Sequence, residues 1–186
     1  MTLWRTIRRG ALLLPLLLAA CAGQEARNAS SEHDIARVEA YFHTVDLKAA
    51  PFSQVWPDGA EGSGALAYHP GYLDMHFTAP HLMTLHAEGR HAVFTDSATG
   101  AETRIGLARN PLGLLLDNPV RLGGAVMVTD IRHAPGVLQL SLARTDNPSQ
   151  GLVTLRFHDS AGRLSLYQLQ IVDERRRVTL ITLGSG

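Results

Sequence analysis

The sequence predicts a mainly β fold, an antiparallel meander that closes as a sandwich or an open barrel. Three observations predict it. From Phe52 onward apolar residues recur with a period of two. Turn signals separate these stretches at intervals of about ten residues. Gly 17 and Pro 9 supply the turns that such a chain needs. The 186 residues fit one domain. With 45% hydrophobic and 18% charged residues, the chain can build a core, which excludes wholesale disorder.

Taken in order, the elements begin with a helix. Ser31-Glu32-His33-Asp34 looks like a capping box, and Ile35, Val38, Phe42 and Val45 then form one apolar stripe. Pro51 closes this region. Leu66 and Tyr68 alternate with Ala65, Ala67 and His69. Leu73, Met75 and Phe77 alternate with Tyr72, Asp74 and His76. Later strands read 126–132, 137–142, 152–157, 164–171 and 177–183. Pro70-Gly71, Glu88-Gly89, Thr99-Gly100, Pro135-Gly136, Asn147-Pro148 and Ala161-Gly162 punctuate them.

One segment departs from the pattern. Asn110-Pro111 offers a cap and a first-turn proline, and four of the next five residues are leucines: Leu112, Leu114, Leu115 and Leu116. The plain expectation is a plug at one end of the barrel. The sharper one is a lid over an apolar cavity. The long sheet favours the second thought, because only two short helices are on hand to cover its apolar face.

The N-terminus carries an export pattern. Arg5, Arg8 and Arg9 precede an apolar run from Ala11 to Ala20, broken only by Pro15. A basic n-region and a short apolar h-region read as a signal peptide over residues 1–20, too short to span a bilayer. Leu18-Ala19-Ala20-Cys21 resembles the bacterial lipobox, and Cys21 is the one cysteine of the chain. A lipidated Cys21 would anchor the protein, and Ala22 in the next position resembles an outer-membrane destination. Ordinary cleavage after Ala20-Cys21-Ala22 also satisfies the small-x-small rule. Residues 21–31 (AGQEARNASS after the cysteine) read as a flexible tether, and 32–186 as the folded domain.

Charge and motifs exclude several function classes. The full chain balances 17 basic against 17 acidic residues, and removing the three arginines of the signal leaves 14 against 17, or −3. No basic excess remains for nucleic acid. One cysteine excludes an internal disulfide and a multi-cysteine metal site. His76, His81, His86 and His91 fall every five residues, which is not a ligand spacing, so they read as rim histidines and no metal is expected. The sequence has neither Gly-x-Ser-x-Gly nor His-Glu-x-x-His, and the expected protein is not an enzyme. Asp173-Glu174 before Arg175-Arg176-Arg177 reads as a charged hairpin turn.

The order of motifs along residues 35–183 resembles the periplasmic outer-membrane lipoprotein carrier (LolA-like) family. That family follows its N-terminal helix with a Phe-x-Gln strand, matched by Phe52-Ser53-Gln54. Its glycine-led strand, Pro-Gly turn and aromatic strand ending in proline match Gly64 to Tyr72 and Phe77-Thr78-Ala79-Pro80. Glu88-Gly89 and Val93-Phe94-Thr95-Asp96 stand where its Asp-Gly strand runs. Asn110 to Leu116 matches its short lid helix. Gly151 to Phe157 and Leu166 to Asp173 match its two C-terminal strands.

The resemblance implies an incomplete, strongly curved antiparallel barrel with an N-terminal helix and a short lid helix over an apolar cavity. It implies a carrier that takes lipoprotein acyl chains from an inner-membrane exporter to an outer-membrane acceptor, with no cofactor. With the more apolar strand faces turned inward, the lining is Leu66, Tyr68, Leu73, Met75, Phe77, Leu138, Leu140, Leu142, Val153, Leu155 and Phe157. Two features depart from the family. His69 stands where a basic residue, commonly Arg, holds the lid, with Asp74-Met75 in place of an Arg-Trp-like pair. Cys21 fits an anchored protein better than a diffusing carrier. The alternatives are therefore a lipid-anchored acceptor (LolB-like) or a structural lipoprotein with a filled core. The expected protein is a monomer of the periplasm, held at the outer membrane by lipidated Cys21, with acylated lipoproteins as cargo.

Overall fold

The computed structural model describes residues 18–108 and 111–184. Most of the expected signal peptide, and Asn110 ahead of the leucine-rich segment, lie outside the described residues. Two compact units divide the chain, Met1–Asp34 and Ile35–Gly186.

The first element is a 27-residue helix, α1 (Leu18–Thr44). It begins well before the expected Ser31 cap, so the stretch expected as a tether is helical. The reason is compositional: Ala, Gln, Glu and Arg favour helix and outweigh Gly23, and no proline interrupts the stretch between Cys21 and Ser31. The expected apolar stripe is in place. Val38 and Phe42 are buried, and Ile35 and Val45 pack partly buried against the same core. No helix among the described residues is long and apolar enough to cross a membrane.

Eleven strands follow: β1 (Leu47–Val55), β2 (Glu61–His69), β3 (Tyr72–Ala79), β4 (Met83–Glu88), β5 (His91–Asp96), β6 (Ala101–Gly106), β7 (Val126–Ala134), β8 (Val137–Arg144), β9 (Gly151–Ser160), β10 (Arg163–Asp173) and β11 (Val178–Leu183). They form one sheet in the order β6-β5-β4-β3-β2-β1-β11-β10-β9-β8-β7. All ten pairings are antiparallel. Every neighbour pair but one is a hairpin partner in sequence. The exception is β1 with β11, where Phe52 faces Leu183 and Val55 faces Leu180.

This order has a consequence for the site. The two free edges, β6 and β7, are consecutive in the chain. Residues 107–125 therefore run from one edge of the curved sheet to the other. The leucine-rich segment lies in this crossing, as a single 3-10 turn (Pro111–Leu115). The sequence expectation of a mainly β, open, curved antiparallel sheet holds in this architecture.

Candidate functional site

The site is built by strand alternation. In β2 and β3, Leu66, Tyr68, Leu73, Met75 and Phe77 are buried, while His69 and His76 are exposed. The helix supplies the opposite wall, where Tyr41 and Phe42 meet at 5.2 Å, edge to face. Tyr41 also meets Phe157 of β9 at 5.2 Å, and Phe42 meets Tyr68 of β2 at 6.0 Å. These contacts join α1 to both arms of the sheet.

Between these walls lies an apolar cavity of about 60 Å³. Leu66, Tyr68, Leu73 and Met75 line it from β2 and β3. Leu112, Leu115 and Leu116 line it from the crossing segment, and Leu166, Leu169, Ile181 and Leu183 from β10 and β11. Tyr41, Phe42 and Leu47 complete it. A water needs on the order of 10–15 Å³ of such space, so the cavity holds a few small groups and not an extended acyl chain.

The crossing segment acts as a lid strapped at several points. Leu107 N donates to Arg90 O at 2.9 Å. Arg144 donates to Ala108 O at 2.7 Å and pairs with Asp146 at 2.8 Å. That carboxylate, with Asp117 of the lid adding attraction, raises the Arg144 guanidinium further. In the middle, the Tyr68 hydroxyl donates to Leu115 O at 2.7 Å. On the far leg, the Leu122 amide donates to Glu39 Oε1 at 2.6 Å, and His43 Nε2 donates to Val120 O at 3.2 Å. The helix thus holds one leg, Arg144 the other, and Tyr68 the centre.

Burial sets the chemistry of the two tyrosines. It pushes the Tyr68 hydroxyl far up, and nearby Tyr41 adds to the rise. Burial raises Tyr41 as well, with a hydrogen bond from the Leu166 backbone working the other way. Both hydroxyls stay neutral at any physiological pH, and that of Tyr68 donates to the lid. The site offers apolar contact and one internal latch.

Several expected lining residues sit elsewhere. Leu138, Leu140, Leu142, Val153, Leu155 and Phe157 are 0% exposed but do not border the cavity. They belong to the buried core, where Tyr41 and Phe42 pack on Phe157 and the lid turn packs on β9. Phe77 fills the other end, stacked on Trp56 at 5.5 Å and edge-on to Phe52 at 5.0 Å. Leu114 is buried apart from the cavity, in a recess with Leu107, Gly113, Arg90 and Arg144. His69 does not reach the lid. Alternation turns it outward, where it stacks on Tyr72 at 4.7 Å, and Tyr68 makes the lid contact instead.

Sequence reasoning missed the lining from Tyr41, Phe42, Leu47, Leu166, Leu169, Ile181 and Leu183. The alternating leucines of 164–171 carried a readable signal for Leu166. Among the rim histidines, His76 and His86 approach Asp74 at 2.8 and 3.6 Å on the exposed face. Cys21 falls within α1.

The fold and site define a class: an open, curved antiparallel sheet with a helix and a strapped lid over an apolar cavity. No protein-family model and no curated protein matches the sequence. Several solved structures are similar to it. One is a LolA superfamily protein from Nitrosomonas europaea, at 12% identity and TM-score 0.44, covering 83% of this chain and 91% of that one. Another is an uncharacterized conserved protein from Thermus thermophilus, at 10% identity and TM-score 0.43, covering 83% and 84%. A third is a DUF1329 family protein from Desulfovibrio piger, at 12% identity and TM-score 0.37, covering 84% and 91%.

Proposed function

We propose that the protein binds acyl chains of lipoproteins under the lid and carries them across the periplasm to the outer membrane. The observation that supports this most is the lid itself: three of its leucines wall an apolar cavity, and one side-chain hydrogen bond latches them at the centre.

The energetics suit reversible binding. Swinging the three lining leucines into water costs on the order of 5 kcal/mol. About six buried methylenes, at about 0.8 kcal/mol each, offset that cost. A longer chain binds with the surplus alone, so an acceptor site needs only modest preference to take the cargo. In this reading no group undergoes covalent chemistry, and an inner-membrane exporter and an outer-membrane acceptor are the partners.

Cys21 decides where the protein works. Lipidated, it holds the chain at the outer membrane and makes the protein an anchored acceptor or a tethered carrier. Mass spectrometry of the mature N-terminus, with Cys21→Ser as control, separates these from a free carrier. For binding, the full chain with Cys21→Ser is titrated with a fluorescent fatty acid and co-purified with an acylated lipoprotein. Saturable uptake and bound cargo are expected. No uptake and no cargo would mean a filled core, and the proposal falls.

A further inference from the structure

The sheet ends on one side in β6, and no strand among the described residues pairs with its outer edge. β6 runs level with β5, from the His91–Gly106 pair to the Asp96–Ala101 pair, with no shift of register. The other edge strand differs. A register shift between Val128 and Asp130 puts an extra residue into β7, and such a bulge blunts an edge. β6 has neither a bulge nor a proline.

The direction of its backbone groups follows from one bond. Leu107 N donates to Arg90 O at 2.9 Å, one step beyond the His91–Gly106 pair. In an antiparallel ladder, pairs that exchange hydrogen bonds alternate with pairs that do not. Counting back from Leu107, the N–H and C=O groups of Ile105, Thr103 and Ala101 turn toward β5. Those of Glu102, Arg104 and Gly106 therefore point out of the free edge.

The side chains of this edge match a copy of themselves. Glu102 and Arg104 lie two residues apart on one face, both exposed, with Arg104 Nε 3.4 Å from Glu102 Oε1. A second β6 can lie antiparallel against the first with Thr103 opposite the partner's Thr103. Glu102 of each chain then stands opposite the partner's Arg104. These are also the residues whose backbone groups point outward, so about four N–H···O bonds close in the same register. Sliding the copy by two residues either way faces Glu102 with the partner's Glu102, or Arg104 with the partner's Arg104, and like charges oppose pairing. Sliding it by one sets outward-pointing groups against groups turned away. Charge and backbone thus select one register.

We propose that, in place of the monomer expected from the sequence, two copies of this chain associate edge to edge through β6, antiparallel about Thr103. Edge charges of one sign keep strands apart. Here each charge finds its opposite in an identical strand run the other way, which is why the occupant is a second copy. The inward face continues across the join, where Ile105, partly buried against the core, stands opposite the partner's Ala101. The contact is one short strand on each side, so the dimer is a weak one that forms and parts with concentration.

Sedimentation velocity of the full chain carrying Cys21→Ser, taken up to about 1 mM, reads the association. A monomer–dimer equilibrium is expected. Glu102→Arg and Arg104→Glu each set like charges opposite one another, and each is expected to weaken the dimer by about tenfold or more. Mixing these two variants is expected to restore pairing between them, and a chain carrying both changes is expected to pair with itself. A thiol reads the register directly. Thr103→Cys, in the chain whose one native cysteine is gone, sits about 4.5 Å from its own copy between Cα atoms, within disulfide range, and is expected to cross-link under mild oxidation. Ala101→Cys stands opposite Ile105 and is expected to stay uncross-linked. Thermal unfolding checks that each variant folds, and the charge and thiol variants stand in for one another if one does not. A parent chain that stays monomeric at the highest concentration overturns the proposal. So does a dimer that neither charge reversal weakens, one that mixing the two variants leaves unrestored, or cross-linking at position 101 in place of 103.

Discussion

The two arms of the sheet carry the same alternating pattern and behave differently. In β8 and β9 the inward residues, from Leu138 to Phe157, are 0% exposed. In β2 and β3, Leu66, Tyr68 and Leu73 keep 6–8% exposure and border empty space. The difference comes from what covers each arm. Tyr41 and Phe42 pack edge-on against Phe157, and the lid turn also packs on β9, so this arm is covered by direct contact. The β2–β3 arm touches the helix through Phe42 on Tyr68, and otherwise faces the lid's leucines across the cavity. One arm is a rigid wall and the other a compliant one.

The largest expected effect breaks the rigid wall. Leu140→Ala should cost about 3–5 kcal/mol, near the top of the range for a buried leucine, because its neighbours have no room to collapse inward. Leu73→Ala in the compliant wall should cost about 2 kcal/mol, because that side chain already borders a cavity. Chemical denaturation of both variants measures the contrast, and equal losses would erase it. Leu73→Ala should also tighten fatty-acid binding, which Leu140→Ala should not.

Next in size is the lid turn. A Cβ on Gly113 would sit 2.3 Å from the Leu107 carbonyl oxygen, so the turn must move to accept a methyl group. Gly113→Ala should cost about 2–3 kcal/mol in unfolding experiments. Proteolysis or hydrogen exchange should place the loosening in 107–125 and leave β8 and β9 protected.

A smaller effect tests the latch. Tyr68→Phe keeps the ring and removes the donor to Leu115 O, leaving a buried carbonyl without that partner. The expected cost is about 1–2 kcal/mol. If lid opening uses this bond, hydrogen exchange at Leu116 and its neighbours should speed up by about tenfold, with β8–β9 amides unchanged.

The sequence carried much of this contrast and hid its cause. Alternation in 66–77 and 137–157 placed strands and inward faces correctly, because a period of two has one buried face whatever covers it. It could not say that Phe157 meets Tyr41 while Leu73 meets a void, since that depends on where a helix lies across the sheet. The run Leu112–Leu116 announced burial but not that Leu114 would turn away from its neighbours, which follows from the three-residue period of a 3-10 turn. His69 was assigned by its position before the turn, yet strand parity gave the inward place to Tyr68.

The smallest expected effect concerns how the helix is tied to the rigid arm. Arg37 of α1 donates to Asp159 at the end of β9 at 2.6 Å, with both side chains about a fifth exposed. The hydrogen bond from Arg37 holds the Asp159 carboxyl below its usual value, with the Arg37 charge and His133 adding to it against a smaller effect of burial. A carboxyl lowered in the folded state stabilises the fold above its unfolded value of about 3.9, and that contribution is lost as pH falls through the lowered one. A partly exposed pair of this kind contributes at most about 1 kcal/mol. Asp159→Asn should therefore lose a little stability at neutral pH and show a flatter loss than the parent chain as pH drops below about 4. If the two chains keep a constant stability difference down through that range, the ion pair is not what fastens the helix to the rigid wall, and the packing of Tyr41 and Phe42 on Phe157 does so alone.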